Sequence, residues 1–218
     1  MTVVDLHRTQ PVSTAGAKPE HARAAMILLH GRSASAGDIL TLAEEFDGSK
    51  IAFFAPQAAN GTWYPQRFIA PVEQNEPWLT WSLAKVNSVV EAVKAAGIPS
   101  EKIILAGFSQ GACLALEYAA RHPQRYGGVI GFSGGLIGEA GVPLRYAENA
   151  DLAGTPVFLG CSDVDFHIPK TRVEESADAL KQMNGDVTVR LYRGMGHTIN
   201  EDELMFARQM TNRLVNQK

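Results

Sequence analysis

Apolar residues along this 218-residue chain fall into two alternating patterns: short unbroken runs, and longer stretches that repeat every three to four residues. The unbroken runs lie at residues 26–29, 51–55, 103–106, 129–132 and 157–160. A strand covered by helices on both faces has no polar side to present, so runs of this length read as buried strands of a parallel sheet. Val187, Val189 and Leu191 alternate instead with Thr188, Arg190 and Tyr192, which predicts a strand near a sheet edge. Residues 3–6 are expected to add one further strand.

The helical repeats lie between these runs. Ile39, Leu40, Ala43 and Phe46 share one face, with Ser35 and Asp38 spaced as N-cap and N3 acid. Leu83, Val86, Val90 and Val93 form a second stripe, closed by Gly97 and Pro99. Val173, Ala177 and Leu180 form a third that ends at Gly185, and Leu204, Ala207, Thr211 and Leu214 form the last. Alternating units of this kind predict an α/β fold, a mostly parallel central sheet with helices on both faces and a ligand site at the carboxyl ends of the strands. Residues 23–218 are expected to make a single domain, with 1–22 as an N-terminal segment carrying the extra strand.

Two connections are too long for simple turns. Residues 57–80 hold Trp63, Tyr64, Phe68 and Trp78, and residues 133–156 are rich in glycine and small side chains. Loops of this length in a compact domain are commonly functional. With Trp81 just beyond it, the first loop gathers all three tryptophans, so it is expected to form an ordered aromatic cap over the strand ends. A satellite hydrophobic cluster packed on the sheet is the plainer alternative.

Composition narrows the function. With 45% hydrophobic residues the chain can bury one sizeable core. A net charge of -3 without any lysine or arginine block argues against nucleic acid or an anionic membrane as an electrostatic partner. Residues 1–23 lack the apolar core of a signal peptide, and no later stretch approaches the roughly 20 apolar residues of a membrane span, so the chain reads as cytoplasmic. Cys113 falls in a helical pattern and Cys161 at a strand end, which reads as two reduced thiols rather than a disulfide framework. A small molecule or acyl group is the expected substrate, and the sequence leaves room for a homodimer.

Chemistry enters at Gly107-Phe108-Ser109-Gln110-Gly111, which follows the run at 103–106 and leads into an alanine-rich helical pattern, apolar nearly all round. A G-x-S-x-G between a buried strand and a helix is a nucleophile elbow, a tight turn that exposes its serine above a helix N-terminus. A serine hydroxyl needs a base within reach and a third group to orient that base. Asp163 and Asp165 follow the run at 157–160, and His197 follows the alternating strand in a Gly194-Met195-Gly196-His197 loop, so all lie past strand carboxyl ends, as Ser109 does. His7, His21 and His122 read as surface or capping residues. The alternation of Asp163, Asp165 and His167 also permits a metal site, but no further carboxylate cluster completes one. The oxyanion of a tetrahedral intermediate needs backbone donors; Gln110 supplies one amide, and Arg32, in the turn Leu28-Leu29-His30-Gly31-Arg32, supplies the candidate second. His30 is expected to shape that turn. The Arg32 side chain reads either as an anion-binding group or as a solvated charge.

On Leu29-His30-Gly31, Gly107-Phe108-Ser109-Gln110-Gly111-Ala112, Asp163-x-Asp165 with Pro169, and Gly194-Met195-Gly196-His197, the chain resembles the carboxylesterase and acyl-protein thioesterase family, also called phospholipase/carboxylesterase, of the α/β-hydrolase fold. The resemblance covers most of residues 25–215. It implies Ser109 as nucleophile, His197 as base, Asp165 rather than Asp163 as acid, oxyanion donors at the amides of Arg32 and Gln110, and no cofactor or metal. Phe166 stands where the family often has proline and Thr198 where it often has serine, and the loop at 57–80 is longer than in the eukaryotic thioesterases.

The function expected is therefore hydrolysis of small carboxylic esters or thioesters through an acyl-enzyme. Trp63, Tyr64, Phe68, Trp78 and Phe166 are the expected pocket walls, favouring short or compact acyl groups. A long-chain acyl thioesterase or lysophospholipase is the alternative within the class; a non-catalytic ligand-binding protein of the same fold is the alternative outside it. Dienelactone hydrolysis would call for cysteine at position 109, where serine stands.

Overall fold

The computed structural model describes residues 4–216. Among them seven strands form one sheet: β1 (Val12–Gly16), β2 (Ala24–Leu29), β3 (Ile51–Pro56), β4 (Ile103–Phe108), β5 (Gly128–Phe132), β6 (Pro156–Ser162) and β7 (Asp186–Tyr192). Their order is β1-β3-β2-β4-β5-β6-β7, parallel throughout except for β1, which runs antiparallel to β3. Among the described residues there are five α-helices: α1 (Ala36–Leu40), α2 (Trp78–Ala95), α3 (Gln110–Arg121), α4 (Lys170–Gln182) and α5 (Glu201–Asn216).

Side chains of successive strand residues point to opposite faces, and both faces here are covered. Ala25, Ile27 and Leu29 with Ile103, Leu105, Val129 and Val157 pack against α2, α3 and α4. Ala24, Met26 and Leu28 with Phe53, Ile104, Ile130 and Phe158 face α1 and α5. The unbroken apolar runs are these doubly covered strands. β7, where the alternation was read, is the sheet edge, partly exposed along nearly its whole length. The capping box at α1 forms as spaced: Ser35 Oγ accepts from the Asp38 amide, and the Asp38 carboxylate accepts from the Ser35 amide. The helix is shorter than its stripe, since residues 41–45 tighten into a 3₁₀ turn.

Two expectations for the N-terminal segment are corrected. Of the strand expected over residues 3–6, Val3 lies outside the described residues, and Val4 to Leu6 pair with no strand; the added strand is β1, whose half-buried alternation seats it on the antiparallel edge. His7, expected at the surface, is fully buried. Its Nδ1 accepts from the Ala59 amide at 3.0 Å and its Nε2 donates to the Trp63 carbonyl at 3.0 Å, so the N-terminal segment is pinned beneath the loop at 57–80. Burial pushes the imidazole's pKa down, which favours the neutral ring these two bonds require.

α3 crosses the ends of β2 and β4 so closely that side chains are excluded at Gly107 and Gly111. A Cβ on Gly111 would stand 2.0 Å from the Leu29 carbonyl oxygen, a backbone atom that has nowhere to move. Gly111→Ala is therefore expected to destabilise the fold beyond the ~0.5–3 kcal/mol usual for a single substitution. A urea titration checks this; a midpoint close to that of the native sequence would contradict it.

Candidate active site

Ser109 sits between β4 and α3 at φ 54°, ψ −117°, a conformation that residues with a Cβ rarely adopt. The turn is held from both sides: the Ser109 amide donates to the Phe132 carbonyl at 2.9 Å, and the Ser109 carbonyl accepts from the Cys113 amide at 3.0 Å. Its hydroxyl is thereby fixed at the carboxyl end of the sheet.

His197 Nε2 lies 2.8 Å from Ser109 Oγ, and His197 Nδ1 lies 2.6 Å from Asp165 Oδ2. A carboxylate only accepts, so Nδ1 carries the imidazole proton and Nε2 is free to accept from the serine hydroxyl. The Asp165 side chain is fully buried, and its Oδ1 accepts from the amides of His167 at 2.8 Å and Ile168 at 3.0 Å. Burial alone would raise its pKa, but the bonds from His197 and the two amides outweigh it and hold the carboxyl below its ordinary range. Phe108 and His167 lie against the His197 ring, with centroids at 4.9 and 4.8 Å.

Asp163 is turned away from this line. Its Oδ1 accepts from the Gly194 amide at 2.8 Å, tying the acid loop to the loop that carries His197. Asp163, Asp165 and His167 thus do not converge as metal ligands, and among the described residues no cluster of three or more His, Cys, Asp or Glu side chains does. His30 is buried and shapes its turn as expected: Nδ1 donates to the Gly31 carbonyl and Nε2 accepts from the Ala58 amide.

Arg32 and Gln110 both line the cavity beside Ser109. Gln110 is the first residue of α3, so its amide has no carbonyl one turn back to bond. Their side chains do something that motif spacing did not reveal. Arg32 donates to Thr62 Oγ1 and to the carbonyls of Pro65 and Gln66, while Gln110 accepts from the Trp63 amide at 2.9 Å and donates to the Tyr64 carbonyl at 2.8 Å. Both groups suspend the aromatic loop over the serine. Polar side chains flanking such a motif, opposite a loop without regular structure, are the only signal the sequence offered.

The cavity measures about 330 Å³, with Tyr64, Phe68, Phe108, Cys113 and Ile168 on its walls. Three residues expected there are elsewhere. Trp63 is fully buried beneath the cap, where its indole N–H donates to the His30 carbonyl. Trp78 opens α2 and packs on the His7 ring. Phe166 is 95% exposed, because the turn that closes the Asp165 carboxylate onto the amides of His167 and Ile168 throws the intervening side chain outward. His167 and Ile168 take its place in the wall.

Behind the His197 loop lies another residue the sequence reading passed over. Glu203, in the first turn of α5, is fully buried over Gly160. Its Oε2 accepts from the Asn200 amide, while Oε1 has no partner among the described residues.

Fold and relay together describe a hydrolase of the α/β class. Comparison with known proteins agrees. The sequence profile described as phospholipase/carboxylesterase matches residues 12–215, and the chain belongs to that family. A phospholipase/carboxylesterase from Dyadobacter fermentans DSM 18053 is 42% identical in sequence and superposes with a TM-score of 0.88, covering 95% of this chain and 97% of that one. Acyl-protein thioesterase 1 of Eremothecium gossypii is 27% identical over 91% of this chain and 92% of its own. The same enzyme of Kluyveromyces lactis is 35% identical over 56% of this chain, a match that spans 54% of the relative's length. The chain is accordingly an ester-cleaving hydrolase.

Burial raises the Glu203 pKa to about 7. The folded state then holds that proton more tightly than the unfolded chain does. This contribution to stability is complete below the ordinary glutamate range and is lost as pH rises through about 7. Between about pH 5 and pH 8, Glu203→Gln, which cannot ionise, is expected to gain Tm relative to the native sequence. Thermal scans across that range check it, and parallel Tm curves would contradict it.

Proposed function

We propose that Ser109, His197 and Asp165 cleave carboxylic esters or thioesters of compact acyl groups through a covalent acyl-enzyme. The observation that carries this reading is the continuous line from Asp165 Oδ2 through His197 to Ser109 Oγ, with links of 2.6 and 2.8 Å. His197 Nε2 takes the hydroxyl proton as Ser109 Oγ bonds to the acyl carbon, and Asp165 steadies the imidazolium that forms. The amides of Arg32 and Gln110 receive the oxyanion. Collapse breaks the bond to the alcohol or thiol, which leaves with the proton from Nε2. Water then gives its proton to His197, bonds to the acyl carbon and releases the acid, restoring the serine. Every proton moves between protein groups, substrate and water.

Ser109→Ala is expected to lose about 10⁴-fold or more in kcat with the fold unchanged, the scale of losing one member of such a triad. Asp165→Asn should lower kcat far more than Asp163→Asn, since Asp165 bonds His197 whereas Asp163 bonds a loop amide. Substantial hydrolysis by Ser109→Ala, or the reverse ranking of the two folded aspartate variants, would contradict these roles.

Substrate size follows from the cap. Tyr64 and Phe68 enclose a cavity near the lower end of the ~300–1,000 Å³ range for small-molecule sites. Each added CH₂ gains its ~0.8 kcal/mol only where apolar space receives it. Across p-nitrophenyl acetate, butyrate, octanoate and palmitate, kcat/KM is expected to peak among the short esters. A steady rise towards palmitate would favour the long-chain reading that the thioesterase relatives suggest.

A further inference from the structure

The inner wall of the cavity carries a polar group that the proposed reaction does not use. Tyr64 is 1% exposed, and its hydroxyl has no hydrogen-bond partner among the described residues. The Cys113 thiol lies beside it without satisfying it, and both residues line the same cavity as Ser109. A buried hydroxyl left unpaired loses its hydrogen bonds to water with nothing in return, so it marks a place where a partner would be stabilising. The other polar groups of this wall are committed: Gln110 holds the Trp63 amide and the Tyr64 carbonyl, and Arg32 holds Thr62, Pro65 and Gln66.

Position along α3 sets the reach of this group. Cys113 follows Ser109 by four residues, so the two lie on one face about 6 Å apart along the axis. An extended chain advances about 1.2 Å per bond, so four or five bonds carry a substrate from the serine to the Tyr64–Cys113 wall. The leaving group must face His197 to receive its proton. The half of the substrate that runs along α3, away from His197, is therefore the acyl half.

We propose that Tyr64 and Cys113 form a polar end to the acyl pocket, where the Tyr64 hydroxyl hydrogen-bonds a neutral oxygen, a ketone or hydroxyl, four to five bonds beyond the scissile carbonyl. This rests on the assignment of Ser109 as nucleophile and narrows the substrate class to short oxygenated acyl groups. Burial keeps the Tyr64 hydroxyl and the Cys113 thiol protonated, raising the first well above its ordinary pKa and the second to about 12. The wall thus offers neutral donors, which suit a neutral oxygen better than a carboxylate.

The test compares p-nitrophenyl 4-oxopentanoate with p-nitrophenyl 4-methylpentanoate, which puts a methyl group in place of the ketone oxygen. The ratio of their kcat/KM values, oxo over methyl, is expected to be about tenfold higher in the native sequence than in Tyr64→Phe, the effect of one hydrogen bond. Cys113→Ala, which keeps the hydroxyl, should retain most of that ratio. A ratio that agrees within about twofold between the native sequence and Tyr64→Phe would overturn the subsite. As a second reading that needs no variant, free 4-oxopentanoate should inhibit the native protein about tenfold more tightly than 4-methylpentanoate, and equal inhibition would overturn the subsite as well. Ser109→Ala, assayed beside these, separates the two claims: loss of both hydrolyses there keeps the serine mechanism standing whatever the ratio shows.

Discussion

Ser109 occupies a positive-φ turn that an isolated chain would leave at once, since such a conformation costs on the order of 1–3 kcal/mol for a residue with a side chain. It persists because the surroundings leave it no other course. The Phe132 carbonyl holds its amide, the Cys113 amide holds its carbonyl, and Gly111 presses directly on the Leu29 carbonyl beneath. Release of that crossing would let the hydroxyl swing away from His197. The geometry of the whole site therefore depends on how closely β2, β4 and α3 pack.

That crossing organises the remaining parts from different regions of the chain. β6 and β7 run parallel to β4 beyond β5, so the acid loop and the histidine loop emerge at the same carboxyl end of the sheet as the serine, and the bond from Asp163 to the Gly194 amide ties them together. On the other side, Arg32 and Gln110 reach outward from the two turns nearest the serine and hold the cap by its carbonyls and an amide. Gln110 thus holds two positions at once: it opens α3 directly after the serine, and its side chain suspends the wall. Access to the serine is coupled to the residues that flank it.

The sheet was legible because burial on both faces writes itself as unbroken apolar runs, and the elbow because its glycines are demanded by contact. The cap was legible only in outline. Aromatic content showed that residues 57–80 are ordered, but not which rings face inward, because a loop has no period to sort them. Trp63 went to the core, Trp78 to a half-buried place on its margin against the His7 ring, and Tyr64 and Phe68 to the cavity. Phe166 was misplaced for a related reason: adjacency to Asp165 in sequence suggested adjacency in space, whereas the turn around the carboxylate sends neighbouring side chains in opposite directions. The burial of His7 and of Glu203 left no mark in the sequence, because a single polar residue in a polar stretch or a helix gives no sign of burial. Only tertiary contact, with the Trp63 carbonyl in one case and the floor at Gly160 in the other, reveals it.

The central claim is that one serine, strained into place and paired with His197, is the reacting group. Treatment with a fluorophosphonate followed by mass spectrometry of the peptides measures this without reference to any substrate. The account predicts one adduct per chain, on Ser109, with labelling slowed sharply in His197→Ala. A folded protein that remains unlabelled, or that carries the adduct on another residue, would contradict it.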